Sequence, residues 1–139
     1  MAYTDGGLRE FRLAEAATLK TGSNHGTFQP GYQPVVIRAC SAMITTVIAS
    51  NDAGVLNAVF TKRDRVTGSN IATVATLRLS AGQAVGKVVY KDALDVKISP
   101  SEDITVASSG IGDGAASFYI VYEQAPETPA NNSDMAATA

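Results

Sequence analysis

Residues 94–106 read Leu94-Asp95-Val96-Lys97-Ile98-Ser99-Pro100-Ser101-Glu102-Asp103-Ile104-Thr105-Val106. Leu94, Val96 and Ile98 alternate with Asp95 and Lys97, and Ile104 and Val106 resume the alternation beyond a polar corner at Pro100. A period of two puts the apolar side chains on one face of a strand and the charges on the other. The segment therefore predicts two half-buried strands joined by a short turn. The same signature recurs on either side. Ile71, Thr73, Ala75, Leu77 and Leu79 share one face of Ile71 to Leu79, and Leu56, Ala58 and Phe60 share one face of Val55 to Lys62. Phe118, Ile120 and Tyr122 oppose Tyr119 and Val121. Ala84 to Lys91 supplies another strand. Val35 to Ala49 is a long apolar and Thr-rich one, of the kind buried on much of both faces. Turn residues at Asn51-Asp52-Ala53-Gly54, Thr67-Gly68-Ser69-Asn70 and Ala81-Gly82-Gln83 separate these runs. Seven or eight strands spaced about ten residues apart predict an all-β fold, an antiparallel β-sandwich.

The flanks differ from this body, which spans Val35 to Gln124. Met1 to Pro34 reads as an extended N-terminal arm. Within it, Leu8 to Leu19 fits a helical face loosely through Leu8, Phe11 and Ala14, and fits an edge strand through Phe11 and Leu13 about as well. The run Thr21 to Pro34 contains Gly22, Asn24, Gly26, Pro30, Gly31 and Pro34, which no helix can continue, so an extended conformation is favoured. Phe28 and Tyr32 are anchors within it. Ala125 to Ala139 is a tail with Pro126 and Pro129, no periodicity, and Met135 as its sizeable apolar residue. No internal repeat is long enough to assign.

Composition narrows the function. The chain has 139 residues, suited to one domain, and a formal net charge of −2. Surface scaling lets a chain of this size bury about two thirds of its unfolded surface, enough for a real core. Without a basic stripe, nucleic acid is not an expected partner. No run approaches the roughly 18 apolar residues of a spanning helix, so no membrane segment is expected. Met1 to Glu10 lacks a basic stretch followed by an apolar one, which predicts no secretory signal. One cysteine, Cys40, excludes an internal disulfide and fits synthesis in a reducing cytoplasm. Trp is absent, and Ala, Val, Thr, Ser and Gly dominate, as in a sandwich of short strands.

Each candidate for chemistry has a plainer reading. His25 lies in a Gly- and Asn-rich run, where a solvated loop residue is expected unless a nucleophile lies within reach. Cys40 sits in an apolar strand as a small core residue. Arg38, two positions away, hints weakly at thiol activation. One His and one Cys fall short of the roughly three or four ligands of a zinc site. Gly110-Ile111-Gly112-Asp113-Gly114 imitates a phosphate loop, but it leads into a strand-like segment, not a helix. Glu102, Asp103 and Asp113 lack the dense spacing of a calcium site, which takes about six to eight oxygens. Their use as a glycosidase pair would need a cleft with carboxylates about 5–10 Å apart. Lys62-Arg63-Asp64-Arg65 reads as a solvated mixed-charge connection. No catalytic residue, cofactor or metal is expected, and the chain is read as a non-enzyme.

The run Ala84 to Val106 also carries a resemblance. Its order is a strand, a Leu-x-Val-x-Ile strand, a Pro-centred acidic turn and an Ile-Thr-Val strand. It closes later with Phe118-Tyr119-Ile120-Val121-Tyr122-Glu123. In this it resembles the small jelly-roll proteins that decorate or cement tailed-bacteriophage capsids, over roughly Val35 to Glu123. The family's corner usually carries Gly where this chain has Ser101. The resemblance implies a jelly-roll topology, with an immunoglobulin-like sandwich as the alternative, since strand order is not written in one sequence. It implies a non-enzymatic virion protein made in the host cytoplasm and placed on the capsid surface. Such a protein would bind the major capsid protein or other virion proteins as a trimer or other homo-oligomer. A tail- or fibre-associated subunit and a carbohydrate-binding module are the alternatives. Arms can add strands to a neighbour's sheet edge. Leu8, Phe11, Phe28, Tyr32 and Met135 are the expected partner-binding residues.

Overall fold

The computed structural model describes residues 7–19, 24–48, 56–109 and 114–125. Among them are nine strands: β1 (Arg9–Thr18), β2 (Asn24–Phe28), β3 (Val35–Thr46), β4 (Leu56–Asp64), β5 (Asn70–Leu79), β6 (Val88–Lys91), β7 (Val96–Ile98), β8 (Glu102–Ser109) and β9 (Ala115–Gln124). They form two sheets. One has the order β1-β9-β3-β6, with β7 also paired to β3, and the other has the order β2-β8-β4-β5. All pairs are antiparallel.

The pairing is nested. β4 meets β5, β3 meets β6 and β7, β2 meets β8, and β1 meets β9. That is one long hairpin. Rolling it into two layers adds the contacts of β9 with β3 and of β8 with β4. The result is a jelly roll, and the strand order rules out the immunoglobulin-like alternative. The segment Leu94–Val106 has a particular place in it. Its two strands do not form a hairpin: β7 belongs to one sheet and β8 to the other, and the Pro100 corner carries the chain between them. Ser99 N donates to Glu102 Oε1 at 2.9 Å, Glu102 N to Ser99 O at 3.0 Å, and Arg65 N to Ser101 O at 2.9 Å. Side-chain and main-chain bonds thus fix a corner that no sheet ladder supports.

The core lies between the layers, where Ile98, Ile104, Val106, Ile37, Ile44, Phe60, Phe118 and Ile120 are fully buried. Phe60 and Phe118 meet edge to face at 6.1 Å. A bulge in β3 makes this possible. Ala39 pairs with Val121 and Ile37 with Tyr122, leaving Arg38 as the extra residue. Val35 and Ile37 point inward before it, and Cys40, Ala42 and Ile44 point inward after it. The Arg38 carbonyl accepts from Leu94 N at 3.0 Å, so the bulge is satisfied by the link between β6 and β7.

The expected boundary between an arm (1–34) and a sandwich (35–124) is corrected. β1 and β2 are integral strands at the edges of the two sheets, and Leu13, Leu19 and Phe28 belong to the core. The edge-strand reading of Leu8–Leu19 is the one that holds. Gly26 in this stretch does not end structure; it permits close approach. A Cβ on Gly26 would lie 2.0 Å from the Leu13 carbonyl oxygen, so β2 can pass β1 only with glycine there. The tail from 126 to 139 lies outside the described residues.

Candidate functional site

Two surfaces gather side chains that the core does not need. The first lies at one end of the sandwich. Along β9, Phe118 and Ile120 are buried, whereas Tyr122 and Gln124 on the same face lie beyond the core. Tyr122 pairs with Arg9 of β1, and Gln124 with Val35 of β3. The chain leaving β2 runs over this inner face as Gln29, Pro30, Gly31, Tyr32 and Gln33. Between loop and sheet is an open cleft of about 400 Å³ lined by these residues with Arg9, Phe28, Val35, Tyr122 and Gln124. Its floor is aromatic: Phe28 lies 4.9 Å from Tyr122 and 5.0 Å from Phe11, centroid to centroid. Tyr32 is fully exposed at the rim. Arg65 Nη2 donates to Pro30 O at 2.9 Å, and Ala125 N to Pro34 O at 3.0 Å, which holds both ends of the loop.

The second surface is the outer face of the β1-β9-β3-β6 sheet. There Tyr119 stands beside Ser41, and Ser41 beside Tyr90; Val121 stands beside Ala39, and Met43 beside Val88. Val88 and Tyr90 are 46% and 65% exposed, and the others are half-buried. Charges border this apolar strip. Glu10 and Arg12 pair with Val121 and Tyr119 on one side. On the other, Arg38 Nη2 contacts Glu123 Oε1 at 2.6 Å, and its Nη1 contacts Asp95 Oδ1 at 3.1 Å. The long β3 strand, expected to be buried on much of both faces, is buried on its inner face at Val35, Ile37, Cys40, Ala42 and Ile44, while on its outer face Val36 is buried and Ala39, Ser41 and Met43 are half-buried.

The expected partner-binding residues fall in different places. Tyr32 and Phe28 line the cleft, and Phe11 packs on Phe28. Phe28 is itself a core residue and presents little surface. Leu8 is exposed just before β1. Met135 lies outside the described residues. The sequence reading missed Arg9, Tyr122 and the glutamines of the cleft. Their convergence depends on strand register, for which the sequence holds no local signal. The outer strip did leave a signal, in the two-sided hydrophobicity of β3.

The candidates for chemistry are occupied structurally. His25 is in strand β2, not in a solvated loop. Its ring stacks on Phe118 at 5.5 Å, and Nε2 lies 2.5 Å from Ser108 Oγ. Ser108 is buried, and partial burial holds the imidazole below its ordinary pKa. The pair satisfies a buried hydroxyl; Asn24 Oδ1, close in sequence, is taken by Gly26 N. Cys40 is buried, and desolvation pushes its thiol up to about 12. Arg38, the extra residue of the bulge, is bound to Glu123 and Asp95 and does not activate the thiol. Asp103 is buried and accepts from Arg63 through both oxygens, at 3.2 and 3.3 Å. Arg63 and Asp103 stand directly opposite each other in the β4–β8 ladder, so this part of the expected solvated connection is a clamp. Glu102 is held by Ser99 N. Asp64 Oδ1 accepts from Thr67 N and Val66 N, which lowers its pKa. Residues 110–113, including Asp113, lie outside the described residues.

No protein-family description matches the chain, and no curated protein does. Solved structures of infectious bursal disease virus match the chain in a structural comparison. The Gx strain structure matches at 12% identity and a TM-score of 0.46, over 89% of this chain and 33% of that chain. The T=1 particle matches at 13% and 0.31, over 88% of this chain and 40% of that one. The VP2 subviral particle matches at 11% and 0.27, over 88% and 42%. This chain thus spans well under half the length of the chains it matches. Its fold class rests on the strand order given above: an all-β, two-sheet antiparallel sandwich of jelly-roll type.

Proposed function

We propose that the chain is a non-enzymatic structural protein of a virion, a decoration or cement subunit that docks on the capsid surface against the major capsid protein. The observation that carries this reading is the uncovered apolar strip of Met43, Val88, Tyr90, Tyr119 and Val121, bordered by charge. Such a strip on a sheet face is a contact surface awaiting a partner. Among the described residues, His25, Asp64, Glu102 and Asp103 are committed to hydrogen bonds or ion pairs, and Cys40 is buried in the core. Leu8, exposed just before β1, and Tyr32, exposed on the loop after β2, are the further contacts of this reading, together with Met135, which lies outside the described residues. A homo-oligomer, with a trimer favoured, presents several copies of the strip at once and gains avidity on a repeating shell.

The test combines light scattering of the full chain with its co-sedimentation on virion shells lacking it. Tyr90→Glu and Val88→Lys alter exposed positions, so the melting temperature should hold while shell binding falls at least tenfold. A monomer that binds no shell, or a double variant that binds as well as the parent, overturns the reading. A tail- or fibre-associated role would instead give binding to isolated tails and none to shells.

A further inference from the structure

We propose that the cleft between the Gln29–Gln33 loop and the ends of β1 and β9 binds a carboxylate-bearing glycan. Three features of its lining converge on that ligand class. The first is flat aromatic surface in two places, with Tyr122 on the floor and Tyr32 fully exposed at the rim. The C–H face of a sugar ring is apolar and packs on such rings by dispersion, while the phenol hydroxyls stay available at the edge. The second is amide. Gln29, Gln33 and Gln124 each bring a carbonyl acceptor and an NH₂ donor to one opening. Vicinal hydroxyls donate and accept at adjacent atoms, so paired amides match them where a purely apolar or singly charged wall would not. The third is charge. Arg9 is the cationic member of the lining, no acid lines the cleft, and Arg9 makes no ion pair among the described residues. A guanidinium left open beside amides favours a planar carboxylate, which it can hold through two parallel bonds.

Size and build agree. The volume falls within the roughly 300–1,000 Å³ of small-ligand clefts. The loop is tied at Pro30 by Arg65 and at Pro34 by Ala125, so the aromatic and amide groups sit on a held segment. Held groups lose less freedom on binding, and a weak contact set then still yields a measurable affinity. A cationic or purely apolar ligand would leave Arg9 or the amides unpaired. The site shares only Tyr32 with the contacts of the virion reading and is otherwise separate from the outer sheet face, so it does not depend on that reading.

The experiment presents the full chain to an array of neutral oligosaccharides and of sialylated and uronate-containing ones, with calorimetric titration of the best binder. Carboxylate-bearing glycans should bind, and their neutral counterparts should bind at least about tenfold more weakly, the scale of one charge-assisted pair. Tyr32→Ala and Arg9→Gln should each weaken binding about tenfold or more with the melting temperature unchanged, since both side chains are exposed. Tyr32→Phe should retain most of it. An array without binders, equal binding of neutral and acidic forms, or binding indifferent to both substitutions overturns the proposal. So does binding of an acidic Pro-rich peptide (Ala125–Ala130) in place of any glycan. Shell binding by the same variants is scored separately, so failure here leaves the structural role standing.

Discussion

Single residues decide how the sandwich tolerates its buried polar groups. Asp103 is the clearest, because its carboxylate is buried and its partner is not fully so. Asp103→Asn keeps the shape but removes the charge that holds Arg63, and Asp103→Ala removes both bonds. The alanine variant should lose about 1.5–3 kcal/mol in urea unfolding, and Arg63→Ala should lose a similar amount for leaving the carboxylate orphaned. His25 makes stability depend on pH. Its folded pKa is depressed below 6.5, so the unfolded chain takes up the proton first. Stability should therefore be complete above about 6.5 and fall as pH drops from there toward the folded value. His25→Gln should flatten that fall in urea titrations run from pH 5 to pH 7.5. Cys40 should resist aromatic disulfide reagents in the native protein and react once denaturant opens the core, with a stopped-flow trace tracking unfolding.

At the scale of elements, much of the strand content is legible from alternation alone, because one buried face imposes a period of two. β4, β8 and β9 fall where their apolar residues alternate; in β5 the single face of Ile71, Thr73, Ala75, Leu77 and Leu79 is corrected, because a register shift between Ala75 and Thr73 leaves Val74 buried and Ile71 and Thr73 exposed. Val35–Thr46 reads as strand too, but its bulge is hidden: Val35, Val36 and Ile37 in succession mask a change of phase that only the partner strand reveals. Deleting Arg38 removes the extra residue and turns either Val35 and Ile37 or Cys40, Ala42 and Ile44 outward. The deletion should leave no cooperative unfolding transition by circular dichroism, whereas Arg38→Ala should remain folded. β2 was missed as a sheet member because its residues, Asn24-His25-Gly26-Thr27-Phe28, carry turn chemistry. The glycine that suggests a break is there to let two backbones pass. Gly26→Ala should accordingly cost about 3 kcal/mol in a chemical melt, at the upper end of overpacking effects.

For the whole molecule, the sequence carries the layer architecture but not which strands are neighbours. Register and the nested pairing arise from long-range contacts, and those alone assemble the cleft and the outer strip. The same distance between paired segments has a kinetic side. β9 lies between β1 and β3, so without the final strand the larger sheet falls into two unconnected pieces. During synthesis, β1 has no hydrogen-bonding neighbour in that sheet until the ribosome has made and released residues beyond Ala115. Among the described strands the larger sheet thus closes only when β9 pairs, and a growing chain must keep the apolar β3 from pairing wrongly until then.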